Sequence, residues 1–374
     1  MSGVNYMEKL FQGINVEWKP LGEILVRTKG TNITAGQMKE LHKDGASLKI
    51  FAGGKTIAFV DFKDIPKKDI NTEPSIIVKS RGFIEFDYYD KPFSHKNEMW
   101  SYHSKNKNIN IKFVYYFLKI NEPYFQNLGS RMQMPQISIP DTDKFCIPIP
   151  PLNVQSEIVR ILDNFTELTA ELTAELTAEL HARKKQYTFY RDKLLTFEEG
   201  QVEWKSLGEV AKIKNGKDWK TLGKGDIPVY GSGGVMRYVD TYAYSKPSVL
   251  IPRKGSLGNL FYVDTPFWNV DTIFYTDIDD SQMIPKFFYY FLTTVRLAEM
   301  NQAGGVPSQT QAILNLIKIP VPSLQEQSRI VAILDKFDAL TTSLAEGLPC
   351  EIELRQKQYE YYRNLLLTFP QQEA

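Results

Sequence analysis

The chain has 374 residues, 43% of them hydrophobic and 24% charged, with a net charge of +1 and two cysteines. These values fit a folded chain of two or three domains and argue against a disordered, disulfide-stapled or bilayer-spanning one. No apolar run reaches the 18 residues a membrane helix needs, and Cys146 and Cys350 stand at no metal-type spacing, so reduced thiols are expected.

The neutral total conceals a segregation of charge. Residues 14–140 hold 19 Lys+Arg against 13 Asp+Glu, a net +6, and residues 202–318 hold 13 against 11, a net +2. Residues 150–200 (6 against 9) and 319–374 (5 against 8) are each −3. Basic segments alternate with acidic ones, a split that a phosphate backbone would register. The N-terminal MSGVNYMEKLFQG lacks a basic-then-apolar leader, so a cytoplasmic protein without a membrane anchor is expected.

In chain order, VEWKPLGEI at 16–24 opens a part of mixed strand and turn. The β-branched run Ser75–Val78 predicts a strand running into a glycine turn, and KFVYYFLKI at 112–120 predicts one short helix with its aromatics packed inward. Pro148, Pro150 and Pro151 end a strand-like segment, after which LNVQSEIVRILDNF begins a helix. Its apolar residues Ile158, Ile161, Leu162, Phe165, Leu168, Leu172, Leu176 and Leu180 keep helical spacing for many turns.

Within that helix the word LTAE occurs three times, from Leu168 to Glu179, and a helix over 152–197 would be about 69 Å long at 1.5 Å per residue. Four residues turn a helix by about 400°, so each successive leucine is displaced by about 40° and the apolar stripe must wind.

The plan is then written a second time. VEWKSLGEV at 202–210 repeats the opening, Ser248–Ile251 repeats the strand, and residues 286–294 repeat the short helix. IPIPPLNVQSEIVRILDNF at 147–165 returns as IPVPSLQEQSRIVAILDKF at 319–337, and RKKQYTFYRDKLLTF at 183–197 as RQKQYEYYRNLLLTF at 355–369. The second helix should begin with a capping box, Ser323-x-x-Glu326, and carries Ile330, Ile333, Leu334, Phe337, Leu340, Leu344, Leu348 and Ile352. Pro349 removes a helical donor and crowds the preceding turn, which predicts a kink or break and a new start at Glu351. The two apolar stripes are expected to bury each other, with Ile158, Leu162, Phe165, Leu168, Leu172, Leu176 and Leu180 facing Ile330, Leu334, Phe337, Leu340, Leu344 and Leu348.

No catalytic constellation is visible. GGKT at 53–56 imitates the end of a phosphate loop, but Lys49 stands where the first glycine would be needed. There is no Asn/Asp-Pro-Pro-aromatic motif of amino-methyltransferases; His42, His95, His103 and His181 are scattered, and His95 and His103, eight apart in a polar loop with lysines, read as solvated loop residues, so no metal site is expected. Candidate nucleic-acid contacts are polar loops that recur at matching positions. They are Lys79, Ser80 and Arg81 against Arg253, Lys254 and Ser256; His95 and Lys96 against Asn269; and Arg131 and Gln133 against Ser308 and Gln309. Lys105 and Lys107 add a further basic loop. A glycine beside Arg or Lys lets backbone approach a phosphate while the long side chains reach base edges.

The twofold plan, the LxxQxxIVxILDxF words, the QYxxYRxxLLTF tails and the LTAE run resemble the specificity subunits of type I restriction–modification enzymes over essentially the whole chain. That resemblance implies an α+β fold: two similar globular α/β target recognition domains separated by a long antiparallel two-helix coiled coil. The expected boundaries are 1–150 for the first recognition domain, 151–199 for the first helix, 200–321 for the second domain and 322–374 for the second helical region. It also implies a non-catalytic DNA-specificity subunit for a split, asymmetric site in double-stranded DNA. The implied partners are two methylation subunits holding S-adenosylmethionine for adenine N6 methylation and restriction/translocase subunits using ATP and Mg. The LTAE run would then act as a ruler for the unread spacer. Two other readings remain beside it, a coiled-coil scaffold with two protein-binding domains and a self-sufficient nucleolytic or methylating enzyme.

Overall fold

A computed structural model describes residues 9–129, 134–301, 305–342 and 347–369. The chain divides into two compact units, Met1–Thr173 with Leu354–Ala374, and Ala174–Glu353. Each contains one globular part together with segments of both helical regions, because the boundary falls inside the continuous helix Leu152–Leu195.

The sequence repeat is a structural repeat. In the first unit the strands Val26–Lys29, Trp100–His103, Ser75–Lys79 and Glu85–Tyr89 lie in that order in an antiparallel sheet. In the second unit Ala211–Lys214, Ile273–Ile278, Ser248–Pro252 and Phe261–Val263 have the same order and sense. A three-stranded sheet follows in each: Ile57–Val60, Leu48–Phe51 and Phe93–His95 in one, Gly234–Val239, Ile227–Gly231 and Trp268–Asn269 in the other. In both, the last strand runs parallel to the middle one.

The most nearly identical words of the two halves turn out to pair with each other. Glu17–Pro20 pairs antiparallel with Cys146–Ile149, placing Trp18 opposite Pro148, and Glu203–Ser206 pairs with Lys318–Val321, placing Trp204 opposite Pro320. This ribbon closes each globular part just before its helix begins. A buried glutamine one turn into the helix then fastens the joint. The Gln155 amide donates to the Pro150 and Asn108 carbonyls and its oxygen accepts from the Asn110 N–H. Gln327 does the same toward Pro322, Gln282 and Ile284. Both side chains are fully buried, so their polar groups require these partners.

The short helices form at Ile111–Ile120 and Pro285–Leu292, with Phe113, Phe117, Phe287, Phe288 and Phe291 buried as expected. The halves differ where their sequences differ. The helix Ala35–Leu41, capped reciprocally by Thr34 and Gln37, covers the first three-stranded sheet, and the matching segment of the second half is irregular.

The long helix ends at Leu195, two residues short of 197. The second region is two helices, Leu324–Thr342 and Leu348–Leu366. Pro349 therefore stands in the first turn of the later helix, where its missing N–H would have had no intrahelical partner, and the restart precedes Glu351 by three residues. Only half of the expected capping box forms: the Glu326 N–H donates to the Ser323 hydroxyl at 3.3 Å, while the Glu326 carboxylate takes Arg329 instead.

The apolar stripes serve several environments. Ile158 and Leu162 are buried in the core of the first unit with Leu366 and Leu367, and Ile330 and Leu334 in the core of the second with Leu195. Phe165 stacks on Tyr362 at 5.7 Å in the first unit, and Phe337 on Tyr190 at 5.6 Å in the second. Leu172, Leu176, Leu180 and Leu348 are half-buried, Leu168 is 61% exposed and Leu340 37% exposed. Leu344 lies outside the described residues.

Candidate nucleic-acid interface

The same hydrogen-bonded device occurs at one end of the four-stranded sheet in both units. After the strand Ser75–Lys79 the chain turns at Gly82, whose φ of +75° favours a residue without Cβ, and after Ser248–Pro252 it turns at Gly255 with φ +83°. Each turn is stitched to the loop that precedes the closing ribbon. The Gly82 N–H donates to the Pro135 carbonyl at 2.9 Å and the Ile137 N–H to the Ser80 carbonyl at 3.0 Å; Gly255 donates to Pro307 at 2.8 Å and Gln309 to Arg253 at 3.0 Å. Arg81 is thereby opposed to Gln136, and Lys254 to Ser308. Two loops far apart in sequence become one surface in each half, each presenting an exposed cation, Arg81 or Lys254.

In the first unit this surface borders a cleft of about 890 Å³ lined by Arg27, Lys29, Arg81, Asn97, Gln136 and Ser138 among others. Lys29 and Arg81 are exposed on it, and Arg27 is held by Asp143 at 2.6 Å. Glu98 and Asp141 and apolar side chains such as Trp100 and Leu128 complete the lining; its exposed cations and amides are groups that can meet phosphate oxygens and base edges.

The other expected contact residues lie in several different surroundings. Arg253 and Ser308 are half-exposed and Ser256 exposed at the second turn. Lys96 sits at the same end of the first sheet, paired with Glu98 at 2.8 Å, and its backbone bridges to Thr31. Lys105 and Lys107 are exposed but follow the strand Trp100–His103 at its opposite end, because Trp100 lies across from Lys29 and His103 across from Val26. Arg131 and Gln133 lie outside the described residues.

Five residues have side chains turned into the fold. Lys79 bonds Glu85 at 2.6 Å and Asp87 at 2.8 Å across the neighbouring strand. Burial alone would lower its pKa, but hydrogen bonds to Asp87 and Glu85 outweigh that and hold the ammonium above its ordinary value. The Ser80 hydroxyl donates to the Glu98 carbonyl and the Gln309 amide to the Pro252 carbonyl.

His95 and Asn269 are structural twins. Both are fully buried, and the backbone carbonyl of each accepts a hydrogen bond, from the Thr31 and Lys217 N–H respectively. The glycines just before those donors, Gly30 and Gly216, are pressed so close to the opposing loop that a Cβ would fall on the His95 and Val270 carbonyl oxygens. The expectation of solvated loop residues at His95 and His103 is therefore corrected. His95 and His103 lie in strands and are buried. Every residue of these two strands is buried, on both faces, and burial holds both imidazoles below their ordinary pKa.

GGKT forms the tip between the paired strands Leu48–Phe51 and Ile57–Val60, not a strand-to-helix phosphate loop. Among the described residues no group of three or more His, Cys, Asp or Glu is placed to hold a metal. No helix among them is long and apolar enough to cross a membrane.

A glycine turn carrying an exposed cation thus recurs at matching positions of the two units. Comparison with known proteins identifies the family. The profile described as "Type I restriction modification DNA specificity domain" matches residues 16–182 and again 200–354, and the chain belongs to that family. It is 35% identical to the EcoR124I/EcoR124II specificity subunit of Escherichia coli, with 100% of this chain and 99% of that one aligned. It is 33% identical to a putative type I specificity subunit of Haemophilus influenzae, over 97% and 98%. The fold is shared with the S subunit of M. genitalium (TM-score 0.56, 23% identity, 98% and 99% covered). It is shared also with the HsdS subunit of Thermoanaerobacter tengcongensis (TM-score 0.53, 15% identity, 94% and 95% covered). The chain is accordingly a non-catalytic DNA-specificity subunit of a type I restriction–modification system.

Proposed function

We propose that this subunit reads a split, asymmetric site in double-stranded DNA, each globular part reading one half-site through its glycine turn and the loop bonded to it. The observation that carries this reading is the matched pair of hydrogen-bonded turns, Gly82 with Pro135 and Gly255 with Pro307, built from otherwise dissimilar residues. A common frame with divergent side chains is what two readers of different sequences require. The contact residues of this proposal are the accessible ones, with Arg81, Lys96, Arg253, Lys254, Ser256 and Ser308 at the turns; Lys105 and Lys107 would reach only a duplex that extends to the far end of the first sheet.

The helix carrying LTAE sets the length of the unread spacer. The elements common to both halves dock two methylation subunits, and restriction/translocase subunits join that assembly in the cytoplasm. S-adenosylmethionine and ATP with Mg bind to those partners. Exchanging residues 14–150 for the matching part of a relative tests the plan. Mapping of methylated adenines should show one half-site changed and the other half-site and spacer retained. Both half-sites changing together would defeat independent reading, and a chain that shifts no duplex with or without methylation subunits would favour the scaffold reading.

A further inference from the structure

The two reading surfaces differ in one respect that matching charge does not predict. The Gly82 N–H that bonds the Pro135 carbonyl is followed in the chain by Phe83, and Pro135 is preceded by Met134, so the two side chains flank that hydrogen bond. Both side chains are 65% exposed. The corresponding positions of the second surface, reached from the pairing of Lys254 with Ser308, are Ser256 and Val306. Val306 is 70% exposed, but it is short and its opposite number is a hydroxyl. A scattered exposed apolar residue is ordinary. Here two large ones flank one hydrogen bond at a glycine turn, two residues from the cation Arg81, which lines the adjoining cleft together with Lys29. Phe and Met are among the residues that proteins insert between base pairs, while flanking cations hold the backbone on either side.

We propose that Phe83 and Met134 form an apolar wedge that unstacks one base step of the half-site read by the first domain, and that the second domain reads its half-site without one. The partner surface is duplex DNA, for which the adjacent cations supply the charge complement, and the deformation selects a flexible pyrimidine–purine step. The inference rests on the assignment of both globular parts as DNA readers.

The test uses the full chain assembled with its methylation subunits and a duplex carrying the site found by methylation mapping. 2-Aminopurine is placed in turn at each position other than the methylated adenines. The expected result is increased fluorescence at one step of the first half-site and none in the second. Phe83→Ser with Met134→Ser, which removes both apolar side chains, should abolish the signal and weaken binding about tenfold, the scale of one lost base-stacking contact. Phe83→Leu should retain the signal, which separates a wedge from a merely damaged turn. Bound duplex with no unstacked step in the first half-site overturns the wedge and leaves DNA reading intact, as would a signal unchanged in the double variant; contact with a thymine methyl alone gives the former result. Equal affinity for the mapped and a scrambled duplex overturns the underlying assignment and the wedge with it.

Discussion

The Tyr116 hydroxyl donates to an Asp163 carboxylate oxygen at 2.6 Å, and the Tyr290 hydroxyl to Asp335 at the same distance. Each bond ties a short aromatic helix to the long helix that follows it, and Lys112 and Lys286 reach the same carboxylates at 2.8 and 2.9 Å. Burial first, and then the carboxylate, hold both phenols well above the ordinary phenol range. Replacing either tyrosine by Phe should lower the stability of its unit by about 1.5 kcal/mol, the low end for a hydrogen bond to a charged group because the aspartates are partly solvated. Urea unfolding of the single and double variants checks this. The two losses should add, since the sites share no partner.

Gly30 and Gly216 are predicted to tolerate no side chain. An alanine at either must displace backbone, so Gly30→Ala and Gly216→Ala should each cost at least about 3 kcal/mol, the upper end of overpacking, or yield no folded protein. Gly53→Ala is the control, because its Cβ would meet nothing within 4 Å. Comparable melting temperatures for all three would refute the close approach.

His95 supplies a pH dependence. Burial keeps its folded pKa below the ordinary 6.5, despite the bond to the Lys96 carbonyl. The unfolded chain therefore binds more protons between those two values. The contribution is complete above about pH 6.5 and is lost as pH falls from there toward the folded pKa. His95→Asn, which introduces the residue of the second half, should flatten the decline in melting temperature between neutral and mildly acid pH. An unchanged slope would assign the acid sensitivity to other groups.

One LTAE word is worth about 6 Å of helix and about 40° of residual turn, against about 3.4 Å and 10–10.5 pairs per turn for a duplex. Deleting one word should shorten the unread spacer by one base pair, at most two, and leave both half-sites unaltered. Methylation mapping reads the result directly. A changed half-site with a constant spacer is the contrary outcome.

Arg81→Ala and Lys254→Ala should each weaken binding, and if the lost contact is to phosphate the slope of log affinity against log salt should fall by about one. Lys79→Ala should leave that slope unchanged, since Lys79 already neutralises Glu85 and Asp87. It should instead lower stability, because two part-buried carboxylates lose their cation. Equal salt effects at Lys79 and Arg81 would contradict this division.

Much of the architecture was legible because it is local. Helical periodicity located Leu152–Leu195, the β-branched runs located Ser75–Lys79 and Ser248–Pro252, and aromatic spacing located the short helices. The joint made by Gln155 and Gln327 was hidden in the repeated LxxQ word, where a buried amide looks like any surface glutamine. A glutamine kept at one position in both copies, where Asn153 becomes Gln325 and Glu157 becomes Arg329, was the available signal.

The sequence alone determined that the protein consists of two copies of one plan, each a globular part joined to a helix, because repeated words and helical periodicity are properties of neighbouring residues. Tertiary structure decided which residues can meet a ligand. Lys79 and Arg81 are two apart in a basic run, yet one is locked between carboxylates on the adjacent strand and the other stands exposed beyond the sheet. Gly82 meets Pro135 across more than fifty residues, and only the folding back of distant chain upon the sheet could bring them together.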